Sequence, residues 1–242
     1  MAFESNPFQR KIMPEVVKNL LIINVIFFLT TLFLEKQGID LTDMLGLHYF
    51  QAPKFKSWQI VTYMFMHGGW GHIIFNMFAL WMFGSAMENE WGPKRFLTYY
   101  FVCGIGAAIV QSAAYYYSLQ PLLNEVSNAQ ATNQYSMDSI IESRNNLLNA
   151  PLAVGASGAV FGLLLAYGMT FPNNIIYVNL FIPVKAKYFV IFYGAIELFS
   201  GVAGRAGDNV AHFAHLGGLV FGFLLIMYWR NQNRNRSDNY HY

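Results

Sequence analysis

Apolar residues collect along this chain in long blocks, and the blocks are of membrane-crossing length. A bilayer core takes about 20 mainly apolar residues in a helix. Six segments meet that requirement, roughly 18–34, 70–87, 96–117, 152–171, 188–203 and 210–229. The second and fifth are interrupted by polar residues, His72 and Asn76 in one and Glu197 in the other. The pattern predicts an all-α polytopic membrane protein with six transmembrane helices in one membrane domain, residues 18–229. A short tail, 1–17, precedes it and a polar tail, 230–242, follows. Two connections are long, about 35–69 and 118–150; the second, rich in Asn, Gln and Ser, is expected to be the mobile one. No internal repeat is visible, which argues against a transporter built from duplicated halves. The first apolar run follows a mixed polar stretch and lacks a small-residue cleavage site, so it reads as a retained anchor.

Composition supports the membrane reading. The chain is 55% hydrophobic and 12% charged, about half the charge fraction of a soluble domain. A net charge of only +2 argues against nucleic-acid binding, which needs a concentrated basic face. The single cysteine, Cys103, rules out an internal disulfide and cysteine-based zinc patterns and reads as a small packing residue. Lys and Arg accumulate on the cytoplasmic side of membrane proteins. With the N-terminus inside, the inner segments carry Arg10, Lys11, Lys18, Lys94, Arg95, Lys185, Lys187, Arg230, Arg234 and Arg236. The outer ones carry Lys36, Lys54, Lys56, Arg144 and Arg205, ten against five. Both termini are therefore expected to be cytoplasmic, with a bacterial inner membrane as the simplest host.

In that topology the second, fourth and sixth helices all run from outside to inside. His72, Ser157 and His215 then lie a few residues past the outer ends of their helices, very roughly 5–10 Å deep at about 1.5 Å of rise per residue. Polar groups at membrane depth are costly and face a cavity or a partner, so three at one depth point to a shared cavity. Gly158 and Gly162 are four apart, as are Gly218 and Gly222. Such small-residue stripes let helices approach closely in lipid, and a fourth–sixth helix crossing would bring Ser157 to His215. A serine needs a base to take its proton, and His215 suits that role. His212, one turn earlier, competes with it weakly. Attack on a peptide carbonyl also needs donors for the oxyanion. His72 and Asn76, four apart on one helix face, and the Ser157 amide are the candidates. No carboxylate is evident as a third member. Asp208 reads as a cap or loop residue, and Glu197 as packing through a hydrogen bond. Phe161, one turn after Ser157, is placed to pack against the imidazole and fix its orientation.

These residues resemble the rhomboid family of intramembrane serine proteases. Gly155-Ala-Ser157-Gly158 resembles its Gly-x-Ser-Gly motif, and Ala214-His215-Leu-Gly-Gly218 its final-helix Ala-His motif. His67-Gly-Gly-Trp-Gly-His72-Ile-Ile-Phe-Asn76 is similar to the family's second-helix pattern. The resemblance implies a rhomboid-like six-helix bundle that hydrolyses peptide bonds in or near the spans of other membrane proteins, without metal or cofactor. It implies a dyad of Ser157 and His215, an oxyanion site lined by His72, Asn76 and the Ser157 amide, and a supporting role for His67. Its substrates would be single-span proteins whose helices unwind easily. A Trp-Arg pair common in the family's first loop reads Trp58-Gln59 here, which bears on how that loop is anchored. A non-catalytic relative that binds membrane helices is the rival reading, and an ion channel or transporter a more remote one. A zinc protease is weaker still, since no His-Glu-x-x-His motif occurs.

Overall fold

The computed structural model of the protein describes residues 11–131, 136–178, 181–203 and 211–238. Helices dominate it. In chain order they are α1 (Glu15–Glu35), α2 (Leu41–Leu45), α3 (Gln59–Thr62), α4 (Trp70–Ala79), α5 (Ser85–Trp91), α6 (Pro93–Ala131), α7 (Met137–Asn149), α8 (Ser157–Thr170), α9 (Ala186–Ala203) and α10 (His212–Asp238). Four of these, α1, α6, α9 and α10, are long and apolar enough to cross a membrane, and α8 is apolar but shorter. The expected second span is not one regular helix: α4 passes through a π turn, Leu80–Gly84, into α5. The protein is thus a helical integral membrane protein in which four long apolar helices stand out where six spans were expected.

Two small antiparallel sheets qualify the all-helical expectation. β1 (Leu47–His48) pairs with β2 (Leu152–Ala153), Leu47 opposite Ala153. β3 (Ile175–Val178) pairs with β4 (Ile182–Lys185). The first of these explains why the fourth helix begins later than 152: the residues ahead of it are tied as a strand to the long connection after α1.

The described parts of the connection 118–150 are helical. α6 continues through it as far as Ala131, and α7 follows, its N-terminus capped by Ser136, whose hydroxyl accepts from the Ser139 N–H. Leu119 and Leu148 close over Tyr49 and Ala52 in a small buried cluster, which secures the segment to the first loop. That loop is itself pinned by Gln59, which is 1% exposed. Its Oε1 accepts from the Lys56 and His48 amides, and its Nε2 donates to the Met44 and Lys54 carbonyls. Gln59 therefore anchors the loop.

The main core packs α10 between α6 and α8. A methyl on Gly218 would fall onto the Gly158 carbonyl, and one on Gly217 would meet the Ala107 and Gly106 backbone. Gly162 and Gly222 both face Cys103, which lies fully buried against the Tyr99 ring end. The Tyr99 hydroxyl donates to the Gly162 carbonyl at 2.8 Å and the Tyr63 hydroxyl to the Gly104 carbonyl at 2.6 Å. A buried hydroxyl needs such a partner. α1 is held at its start by Glu88 on α5, whose carboxylate accepts from the Val16 and Val17 amides at 3.0 and 2.8 Å. Pro14 supplies no side-chain cap there; a carboxylate at a helix N-terminus satisfies the free N–H groups and the helix dipole together. α9 is the least enclosed of the long helices, with Ile191, Phe192 and Phe199 more than 60% exposed. Such a face belongs against lipid.

Candidate active site

Ser157 is the first residue of α8, with Ala156 as its N-cap. Its backbone N–H therefore has no partner within the helix and remains an available donor. The turn that presents it depends on Gly155, whose φ is +120° and whose N–H donates to the Tyr63 carbonyl at 2.9 Å. That backbone region disfavours residues with a Cβ. A Cβ there would also stand 2.7 Å from His72 Nε2 and 3.7 Å from Ser157 Oγ. One small volume thus adjoins both His72 and the serine.

His215 lies in the first turn of α10. Its Nε2 is 2.8 Å from Ser157 Oγ, a hydrogen-bonding distance made possible by the glycine contact between α8 and α10. Phe161 stacks flat on the imidazole, centroids 4.2 Å apart and planes within 10°. The aromatic face restricts the ring to one plane, so Nε2 stays aimed at the hydroxyl. The start of α10 is fastened by Gln111 of α6, whose Oε1 accepts from the Ala214 amide at 3.0 Å.

His72 and Asn76 come to the same place from α4. His72 Nδ1 accepts from the Gly68 amide at 3.3 Å, which assigns the ring hydrogen to Nε2, the nitrogen facing Gly155. Asn76 spends one Nδ2 hydrogen on the His72 carbonyl at 2.9 Å and has a second to give. His72, Asn76, Gln111, Ser157 and His215 all line one open cavity of about 870 Å³. His67 does not enter it. Its ring packs edge-on against His72 at 5.1 Å and is 3% exposed. Burial, with His72 adjacent, pushes the His67 imidazole down to about 4, so it is neutral near pH 7.

Glu197, read from the sequence as packing through a hydrogen bond, makes that bond with His212; its closeness to His215 is what sequence reasoning missed. Glu197 Oε2 lies 2.6 Å from His212 Nδ1 and 2.9 Å from His215 Nδ1. The second contact is close but not aligned as a hydrogen bond. His212 is thereby turned to the carboxylate and not to Ser157, whose partner is His215. These three side chains are the grouping of ligand-type atoms that gathers tightly enough among the described residues to meet one metal ion. Their 2.6 and 2.9 Å separations are those of charge-assisted contacts between the groups themselves. Asp208 lies outside the described residues. The signal for Glu197 was present as a carboxylate in an apolar helix; its partner was not, because α9 and α10 register only in three dimensions.

Chemically, the cavity holds a hydroxyl against a base, with a backbone N–H and two side-chain donors beside it. That set suits acyl transfer through an oxyanion.

A family model described as the rhomboid domain matches residues 54–232. RHOMBOID-like protein 1 of Arabidopsis thaliana is 30% identical over 198 residues, 81% of this chain and 39% of that protein. RHOMBOID-like protein 12, mitochondrial, of the same plant is 26% identical over 204 residues, 84% of this chain and 55% of the other. Rhomboid protease GluP of Bacillus subtilis is 29% identical over 170 residues, 69% of this chain and 25% of the other. The chain spans well under two thirds of the length of each of these relatives. The matched region takes in α4 through most of α10 and every residue of the cavity described above, and on that match the chain belongs to the rhomboid family.

Proposed function

We propose that this protein is an intramembrane serine endopeptidase that cuts peptide bonds in or near the transmembrane segments of other proteins. The observation that carries the reading is the 2.8 Å contact of Ser157 Oγ with His215 Nε2 at the wall of an open cavity. In the reaction Ser157 Oγ attacks the scissile carbonyl while its proton passes to His215 Nε2. The Ser157 amide, His72 Nε2 and Asn76 Nδ2 meet the oxyanion. His215 then protonates the departing amine as the C–N bond breaks, leaving an acyl-serine. Water, deprotonated by the same nitrogen, releases the acid and restores the hydroxyl. A relative named as a rhomboid protease is 29% identical over 170 residues, which supports the reading.

Substrates on this reading are membrane-spanning segments able to unwind, because a helix hides its carbonyls in internal hydrogen bonds. Gly or Ser near the scissile bond lowers that cost relative to a Leu-rich helix by up to about 1 kcal/mol per residue. The Lys and Arg bias favours termini on the cytoplasmic face and a cavity opening outward. With plant, mitochondrial and bacterial proteins among the relatives, a bacterial inner membrane is one of several hosts that fit this orientation. The rival reading, a non-catalytic protein that binds membrane helices, leaves the serine–histidine contact unused.

Reaction of the purified protein in detergent with a fluorophosphonate probe tests the proposal, beside Ser157→Ala and His215→Ala. Labelling confined to the parent is expected. No labelling of a folded parent would favour the helix-binding reading. Labelling that persists in Ser157→Ala would assign the nucleophile to another residue.

A further inference from the structure

A carboxylate within an apolar helix is costly unless paired. Glu197 is 8% exposed on α9, a helix that otherwise turns large apolar side chains outward. Its pairing is specific. Oε2 reaches His212 Nδ1 at 2.6 Å and His215 Nδ1 at 2.9 Å, and Nδ1 of His215 is the ring nitrogen on the far side from Ser157. The two histidines, three apart, share one face of α10, so a single oxygen lies against both.

We propose that Glu197 is a positioning residue for His215, making the expected dyad work as a carboxylate–imidazole–hydroxyl chain; the proposal rests on the protease reading above. A neutral imidazole can carry its hydrogen on either nitrogen, and only the form with hydrogen on Nδ1 leaves Nε2 free to accept from Ser157. A carboxylate beside Nδ1 selects that form. It also offsets the positive charge that appears when Nε2 receives the serine proton. Through the cycle Nδ1 keeps its hydrogen and Glu197 stays unprotonated. The travelling proton goes from Oγ to Nε2 and from there to the leaving amine. Phe161 fixes the plane of the ring, Glu197 fixes which edge carries the hydrogen, and His212 holds the carboxylate in place from its other side.

Turnover of a single-span substrate with a Gly-containing cleavage region tests this in the whole chain reconstituted in lipid, comparing the parent with Glu197→Gln and Ser157→Ala. Gln keeps the shape and removes the charge. Roughly a ten- to hundredfold fall in kcat is expected, smaller than the loss of a triad carboxylate elsewhere because Phe161 still orients the ring. KM should stay within about twofold, and the fluorophosphonate labelling rate should fall in step with kcat, with thermal stability kept. A merely structural ion pair would move stability and leave the kcat of the folded protein alone. A kcat for Glu197→Gln near that of the parent, or a loss expressed through KM, overturns the proposal. If Glu197→Gln fails to fold, Glu197→Asp decides: turnover well above the Ser157→Ala background supports a role for the charge, and turnover at that background in a folded protein overturns it. Activity surviving in Ser157→Ala would instead remove Ser157 as the nucleophile, and with it the serine–histidine mechanism on which the proposal rests, whereas an inactive Ser157→Ala beside an unimpaired Glu197→Gln removes only the role of Glu197.

Discussion

His72 is committed at one ring nitrogen and free at the other. Its Nδ1 takes the Gly68 amide, and its Nε2 is left facing the space beside Gly155 and Ser157. A donor fixed in this way stabilises charge that appears only during reaction. His72→Ala is therefore expected to lower kcat about a hundredfold with little change in KM, measured as initial rates on a transmembrane substrate. The nearness of Ser157 to His215, 58 residues apart, was expected only through a crossing of their helices at the glycine stripes, whereas Phe161 follows Ser157 by one helical turn, a relation local spacing carries. The partners of Glu197, Gln111 and Glu88 were not legible. Glu88 caps a helix 71 residues away, and Gln111 serves an amide 103 residues on. Gln59 was readable only as a departure from a family pattern. Its four hydrogen bonds converge because the first loop curls around it, which periodicity does not reveal.

Among the elements, the contact between α8 and α10 decides whether serine and base meet at all. The Gly218 Cα approaches the Gly158 carbonyl so closely that no side chain fits. Gly218→Ala forces the two helices apart. The expected result is a lower melting temperature in detergent, by an amount corresponding to about 1–3 kcal/mol of overpacking, with at least tenfold loss of turnover in the fraction that remains folded. A drop in stability with full activity would mean that the helices slide without parting the two side chains. The glycine stripes foretold this crossing, while helix ends were less legible. Apolar content marks where lipid lies, not where hydrogen bonding stops, so α6 and α10 outrun their apolar blocks. In the 118–150 connection, polar composition concealed the burial of Leu119 and Leu148, whose partners Tyr49 and Ala52 are remote in sequence.

At the scale of the whole molecule, the arrangement separates an apolar exterior from a cavity into which His72, Asn76, Ser157 and His215 project. Arg95 lies over the Trp229 ring at 4.3 Å, beside Trp91 and Tyr99. Aromatic and basic side chains of this kind gather at membrane–water boundaries. pH acts on global stability through His67, outside the membrane-spanning helices. Its folded value of about 4 lies below the ordinary 6.5. Above 6.5 neither folded nor unfolded chain binds the proton, so the group has no effect there. Below 6.5 the unfolded chain binds it first, and stability falls until pH reaches about 4, where the loss levels off at on the order of 3 kcal/mol. Melting temperatures in detergent between pH 7 and 4 should trace that decline, and His67→Gln should flatten it. A parent whose decline is matched by His67→Gln would place the sensitivity elsewhere.

Cys103, the chain's one cysteine, is sealed between two glycines and a tyrosine at the centre of the helix packing. Thiol reagents that attack from solvent or lipid have no route to it while the fold holds. Any cysteine placed on α9 or along the cavity rim would then be the sole reactive thiol, so spin labels, fluorophores or crosslinkers can report movement of single helices in the otherwise native protein.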